Sequence, residues 1–284
     1  MAGLADYGIS AEMERRLAAR GRRTLYIVGD TDTGKTTLAA ALAVRLAAAG
    51  RTAAVDLDAG QATLGLPTTY AWRLCGTGPQ PDGLFFLGST SPSGRLDLAV
   101  AGAANTTRAA RARAGKVVVD SCGLALGSAG REFHHAVIDA VRPDLVIAIQ
   151  RGGELAGLLE PLERGGWPEV LRVAAPGGVV RRSRAIRRSY RARRFREYFK
   201  TAVETPLDLQ RVGLLCPRAD PVGRISSLRD RTGRDMALAI VRAIDPAGKT
   251  MTVLTPWPKA GAVRSVVLGA MRIARDGRQL ARDV

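Results

Sequence analysis

Residues 24–37 read Thr24-Leu25-Tyr26-Ile27-Val28-Gly29-Asp30-Thr31-Asp32-Thr33-Gly34-Lys35-Thr36-Thr37. Leu25 to Val28 is an unbroken apolar run, the mark of a strand buried on both faces. It opens into Gly29–Thr36, which fits GxxxxGK[ST] at every fixed position. The glycines permit a backbone turn that aims several N–H groups inward at phosphate oxygens. An alanine-rich segment follows, Leu38 to Ala49, with strong helix propensity and a natural stop at Gly50. A helix N-terminus at that place adds its positive dipole. Strand, loop and helix together distinguish a nucleotide site from a chance glycine turn. Gly29, Asp30, Thr31, Asp32, Thr33, Gly34, Lys35, Thr36 and Thr37 are therefore expected to hold ATP. Lys35 would reach the β- and γ-phosphates, and the Thr36 hydroxyl would ligate Mg²⁺. Asp30 follows the first glycine, which excludes the deviant lysine loop of ParA-like ATPases. No [NT]KxD guanine-reading motif occurs, which favours ATP over GTP.

Outward from this stretch, strands and helices alternate. Residues 11–20 read as a short amphipathic helix. Strands are expected at 52–56, 84–87, 116–119 and 144–149, and helices at 95–113 and 131–141. That alternation implies a P-loop NTPase-type α/β fold, a parallel sheet with helices on both faces. From Val212 onward, short apolar runs are separated by Gly, Pro and Asp turns, which reads as a small antiparallel β-domain. The expected organisation is an N-terminal helical extension over 1–22, a P-loop domain over 23–208 and a C-terminal β-domain over 209–284.

Two carboxylates end strands expected to flank the loop: Asp58 after Val55-Asp56-Leu57, and Asp120 after Val118-Val119. In open α/β sheets the ligand sits at the strand C-terminal ends. Phosphoryl transfer needs a carboxylate to take the acceptor's proton and an acid near Mg²⁺. Asp58 suits the first task and Asp120 the second. The plainer reading of each is a helix cap or a solvated loop carboxylate.

Forty-three Lys plus Arg stand against 26 Asp plus Glu, a net charge of +17. Such a surface attracts polyanions, although an arginine-favouring codon usage also produces it. Nine arginines fall within residues 181–196. They suit a phosphate-gripping lid or nucleic-acid groove, a solvated basic helix, or a membrane-surface helix. Cys75, Cys122 and Cys216 are scattered, without CxxC spacing, which points away from a disulfide framework or zinc site and toward a reducing cytosol. No apolar run fits a signal peptide or a membrane span. A soluble, cytoplasmic protein is expected. Trp72 and Trp167 are candidates for base stacking or, more simply, core packing. His134 and His135 have no partner motif.

The order of these motifs resembles the polynucleotide 5′-hydroxyl kinases, over roughly residues 23–200. The carriers are Gly29 to Thr37, like G-x-T-D-x-G-K-[ST]-T; Asp56-Leu57-Asp58-Ala59-Gly60-Gln61, like D-x-D-x-G-Q; and Gly88-Ser89-Thr90-Ser91-Pro92, like the G-x-T-[ST]-P clasp. Asp120-Ser121-Cys122-Gly123-Leu124 stands where the family has D-T-x-G-[WL]. Gly177 to Ser183, continuing through Arg187-Arg188 to Phe199, resembles the family's arginine-rich lid, about 177–200. The resemblance implies transfer of the ATP γ-phosphate to a 5′-hydroxyl end of RNA, DNA or both. It implies Asp58 as general base, Lys35 on phosphate, and Arg182 and Arg187 on the transferred phosphoryl. It implies Gln61, Thr90, Ser91, Pro92, Ser121 and Gly123 near the substrate, and Thr36 and Asp120 at Mg²⁺. Leu124 stands where one form has Trp, and Ser121 where it has Thr. The β-domain that precedes the loop in eukaryotic members has no counterpart in residues 1–22, so its contacts to ATP are expected to be missing.

Two alternatives stand beside the kinase. One is a catalytically silent ATP-binding assembly or adaptor protein in RNA processing. The other is a small-molecule kinase, against which the basic charge weighs. Arg182 and Arg187 are five residues apart, so on one continuous helix they lie about 140° apart. For both to touch one phosphate, Arg182 must precede the helix, or the helix end must point at the site.

Overall fold

The computed structural model describes residues 3–18, 21, 23–216, 220–245, 247, 249–257 and 259–280. A 3-10 turn, Leu4–Tyr7, and α1 (Ala11–Ala18) lead into β1 (Thr24–Gly29), the phosphate loop and α2 (Lys35–Ala47). There follow β2 (Thr52–Leu57), β3 (Thr69–Leu74), β4 (Gly83–Phe86), α3 (Leu96–Arg111), β5 (Lys116–Ser121), α4 (Gly127–Val141) and β6 (Leu145–Gln150). Then come α5 (Ala156–Gly165), β7 (Glu169–Ala174) and α6 (Arg184–Tyr198). The remainder is β8 (Val203–Asp208), β9 (Gly213–Leu215), β10 (Arg224–Arg229), β11 (Asp235–Ile244), β12 (Thr250–Thr255) and β13 (Ser265–Arg272).

The first sheet has the order β4-β3-β2-β5-β1-β6-β7. β1 lies inside it, between β5 and β6, and all six of its residues are buried. Leu25 and Ile27 face α2, the Leu4–Tyr7 turn and Leu17 of α1. Tyr26 and Val28 face α3, α4 and α5. Helices on both faces explain the continuous apolar run: alternation disappears when neither face meets water. Strands β2, β5, β1, β6 and β7 are parallel, whereas β3 pairs antiparallel with β2 on one side and with the edge strand β4 on the other. The expected parallel sheet with helices on both faces is present, with β3 as its one reversed strand; the sequence reading missed β3, β7 and α5.

The second sheet has the order β8-β12-β11-β10-β13-β9. It is antiparallel except for the β13–β9 pair. It takes in β8, so it starts at Val203 rather than at the expected 209. Ile225, Leu238, Ile240, Leu254 and Met271 pack with Phe86 of β4 and with Phe195 and Phe199 of the α6 end, in one buried cluster. Asp235 accepts the Phe86 N–H at 2.9 Å, and the Gly88 carbonyl accepts the Ala270 N–H at 2.9 Å. Gly88 adopts φ +69°, and a Cβ there would lie 2.8 Å from the Gly269 Cα. The second sheet thus grips the root of the 88–92 segment and the C-terminal half of α6. Among the described residues, no helix is long and apolar enough to cross a membrane.

Candidate active site

The phosphate loop is held from both sides. The Thr33 hydroxyl and the Lys35 Nζ both donate to the Asp30 carbonyl, at 2.9 and 2.7 Å. Gly34 takes φ +90°, a left-handed conformation that favours glycine, and its carbonyl accepts the Tyr7 hydroxyl at 2.8 Å. The N-terminal turn therefore braces the loop, a role that nothing in the sequence signalled. Thr31 donates to the Gly123 carbonyl at 3.3 Å, and a Cβ on Gly123 would lie 2.9 Å from the Thr31 Cα. Only glycine lets the end of β5 approach the loop this closely.

The strand-end carboxylates divide by burial. Asp56 and Asp120 pair in register across β2 and β5. Asp56 is 2% exposed and accepts the Asp58, Thr63 and Leu64 N–H groups, so its part is to fold the turn that follows β2. Asp120 is 5% exposed beneath α2. Burial, and then the Asp56 charge, push its pKa up to about 8, although the Thr36 hydroxyl bonds it and Lys35 opposes the shift. Its Oδ1 has no hydrogen-bond partner. A buried carboxylate with one orphaned oxygen beside a loop threonine fits a divalent cation, which would restore the missing interaction. Asp58 is half-buried and its Oδ1 accepts the Gly60 and Gln61 N–H groups, both at 2.9 Å. Those bonds fix the carboxylate and leave Oδ2 for an incoming donor.

The arginine segment approaches from the other side. Ser183 caps α6 by accepting the Ile186 N–H at 3.2 Å, so Arg182 lies just before the helix. That is the first of the two arrangements that bring Arg182 and Arg187 together. Both meet Asp32: the Arg187 Nη2 donates to its carboxylate at 2.6 Å and the Arg182 N–H at 2.8 Å. Burial acts to raise the Asp32 pKa, but these two partners outweigh it and hold the carboxyl below its ordinary value. The Arg187 Nε is buried without a partner. No acidic residue occupies the first turn of α6, so the Asp32 carboxylate of the loop offsets its positive end. Further along, Tyr190 donates to the Ala62 carbonyl at 2.8 Å, and Arg194 to that of Gly65.

Loop, turn and lid enclose a cavity of about 600 Å³. Its walls include Thr31, Asp32, Thr33, Gly34, Lys35, Thr36 and Thr37 of the loop, with Asp58 and Gln61. They also include Thr90, Ser91, Pro92, Gly123, Arg182 and Arg187. Gly29, Asp30 and Asp120 are not among the residues that line the cavity. Ser121, expected near substrate, is not brought to the cavity: it is 1% exposed and donates to the Cys122 carbonyl at 3.4 Å. Cys122 and Leu124 line the wall instead, and burial pushes the Cys122 thiol up to about 12. Trp72 packs against Gly83, and Trp167 lies under the Arg142 guanidinium at 3.7 Å, so neither is at the cavity. His134 is buried with its Nδ1 2.7 Å from the Tyr26 hydroxyl. Sequence reasoning missed Tyr7, Tyr190 and Arg151, whose guanidinium meets the Asp32 carbonyl. Only for Tyr190 was there a signal, its place within the arginine segment.

A family model described as the mRNA cleavage and polyadenylation factor CLP1 P-loop matches residues 29–201. The chain is similar to a polyribonucleotide 5′-hydroxyl-kinase of Pyrococcus furiosus, 30% identical over 206 residues, 70% of this chain and 57% of the relative. It is similar to the Pyrococcus abyssi protein of the same name, 30% identical over 333 residues, 94% of this chain and 92% of the relative. Its span is 50% of the corresponding Pyrococcus horikoshii and Methanocaldococcus jannaschii proteins, about half their length. Among solved structures, wild-type Clp1p in complex with Pcf11p superposes with a TM-score of 0.73 at 14% identity, covering 92% of this chain and 77% of that one. That likeness is one of fold.

Proposed function

The chain belongs to the CLP1 P-loop family, and from that premise we propose that it is an ATP- and Mg²⁺-dependent polynucleotide 5′-hydroxyl kinase. The observation that carries the reading is convergence. The phosphate loop, the Asp58 carboxylate and the lid arginine Arg187 all line one cavity. The kinase names of the relatives support the same reading.

In this mechanism the loop N–H groups and Lys35 hold the β- and γ-phosphates of ATP. Thr36 and Asp120 would hold Mg²⁺, which when bound neutralises phosphate charge. Gln61, Thr90, Ser91, Pro92 and Gly123 border the space left for the acceptor end. The acceptor's 5′-oxygen forms a bond to the γ-phosphorus as the bond to the β,γ-bridging oxygen breaks. The hydroxyl proton passes to Asp58 Oδ2, and ADP leaves. Arg187, with Arg182 at the mouth, offsets charge on the phosphoryl in transit, the part that arginine fingers play elsewhere. Three free cysteines suit a reducing, cytoplasmic setting.

The test is label transfer from γ-labelled ATP to matched 5′-hydroxyl RNA and DNA oligonucleotides, with 5′-phosphorylated copies as controls. Label on the 5′-hydroxyl ends alone supports the kinase. Tight ATP binding without transfer to either acceptor would overturn it in favour of the adaptor reading, which the Clp1p–Pcf11p structure keeps in view.

A further inference from the structure

The face of α6 changes character halfway along. Arg184, Arg188, Arg191 and Phe195 follow i, i+4, i+7, i+11 spacing, a single stripe on a helix. At its C-terminal end the stripe is sealed: Phe195 is 1% exposed against the second sheet. At its N-terminal end, Arg184 and Arg188 are exposed, with no hydrogen bond or ion pair among the described residues. Arg187 and Arg194 are engaged by contrast, the first with Asp32 and the second with Gly65.

The second sheet adds to this stripe. After β13 the chain makes a tight turn, in which the Gly277 N–H bonds the Ala274 carbonyl at 2.9 Å and Ile273 pairs with Gln279. Gly277 has φ +83° and sits directly on α6, where a Cβ would collide with the Ala192 carbonyl oxygen. Arg196 fastens the turn by donating to the Asp276 carbonyl at 3.2 Å. Arg275, on this turn, is exposed and likewise without a partner among the described residues, while Arg278 is paired with Asp276 at 2.6 Å. The turn therefore sets Arg275 near the C-terminal half of the helix whose N-terminal half carries Arg184 and Arg188.

We propose that Arg184, Arg188 and Arg275 form a basic ledge that carries the polynucleotide strand beyond its 5′-terminal nucleotide, each arginine meeting a downstream phosphate. The proposal rests on the kinase reading and extends it. It also gives the second sheet a part in holding the acceptor. Charge complementarity selects the occupant: Arg184 and Arg188, without partners among the described residues, share a helix with Arg187 and Arg191, which line the cavity. Arg184 and Arg188 are about 6 Å apart along the helix axis, a step comparable to that between phosphates of an extended strand.

The experiment compares acceptors of two lengths, a dinucleotide and a decamer, on wild type, Arg184→Ala/Arg188→Ala and Arg275→Ala. For the decamer, KM should rise by about tenfold in the double variant, and its salt slope should become shallower by about 1.4, at about 0.7 per single-strand phosphate contact. The dinucleotide's KM and kcat should stay as in wild type. Arg184→Lys/Arg188→Lys should recover most of the decamer's affinity. Equal shifts for both lengths, or none for the decamer, would overturn the ledge and return these arginines to solvated surface charge. A 3′-labelled decamer in a direct binding titration separates the two readings. If wild type transfers no phosphate, the kinase reading falls, and the titration still decides the ledge. Binding of anionic vesicles in place of the decamer would also overturn it.

Discussion

Arg187 of the lid donates a 2.6 Å hydrogen bond to Asp32 of the phosphate loop, across 155 residues of chain. The Asp32 side chain is 10% exposed and the Arg187 side chain 27%, so the pair is partly shielded from water. The same carboxylate takes the Arg182 N–H, so one loop residue seats both sides of the lid's N-terminal cap. The lid is thus docked on the loop that it is proposed to assist.

Asp32→Asn should loosen the lid without unfolding the chain. One hydrogen bond to a charged group contributes about 1.5–3 kcal/mol, so tryptic cleavage within residues 177–190 of the ligand-free protein should quicken by about tenfold or more. Mass analysis of the first fragments reads the site of cleavage. An unchanged rate would mean that other contacts hold the lid.

The two lid arginines should separate kinetically. The Arg187 Nε is buried and unpartnered, whereas the Arg182 side chain is 55% exposed and touches Asp32 mainly through its backbone. Arg187→Ala should lower kcat by roughly 10²-fold or more, on the scale of arginine fingers. Arg182→Ala should act chiefly on KM and be relieved by low salt. Near-wild-type kcat in both variants would make the lid a docking surface.

Much of this arrangement is legible in the sequence, and the rest is hidden for physical reasons. The unbroken run Leu25 to Val28 and the glycines after it announce β1 and the loop because burial on two faces and a left-handed turn leave local marks. β3 leaves none: Thr69-Tyr70-Ala71-Trp72-Arg73-Leu74 is an edge-side strand whose pairing with β2 runs antiparallel. β8 hides behind Pro206, which is tolerated because β8 is an outer strand bonded on one side only, to β12. Pro161 within α5 masks that helix in the same way. At the site, the residue types of the loop, turn and clasp were readable. The Asp32–Arg187 pair and the Tyr7–Gly34 brace were not, since neither has a local signature. The Ser183 cap was readable in retrospect, and it is what frees Arg182 from the helix.

Gly123→Ala should weaken nucleotide binding more than it weakens the fold. The new Cβ would press on Thr31, and overpacking of this kind costs about 1–3 kcal/mol. If the loop yields, ATP affinity should fall by about tenfold, equivalent to about 1.4 kcal/mol. Unchanged affinity measured by calorimetry would show that the β5 end does not set the loop's position.

Asp120 should impose a pH slope on stability in the absence of metal and nucleotide. Its carboxyl stays neutral in the fold up to about pH 8, whereas in the unfolded chain it ionises near pH 3.9. Between those values unfolding releases a proton, so raising the pH destabilises, by at most about 1.4 kcal/mol per pH unit. Asp120→Asn removes this loss. The urea midpoint of the variant should therefore gain on wild type steadily from about pH 6 to about pH 8. A difference that stays constant over that range would place the ionised form in the fold.

Asp58→Asn puts the central claim, that this carboxylate takes the acceptor's proton, to its most direct measurement. Single-turnover transfer of label from ATP to a 5′-hydroxyl oligonucleotide is followed beside equilibrium binding of ATP. The account predicts ATP affinity close to that of wild type and transfer slowed by about 10²–10⁴-fold, the worth of general-base help. Transfer retained at more than about a third of the wild-type rate would contradict it, since a general base cannot be lost at so small a cost.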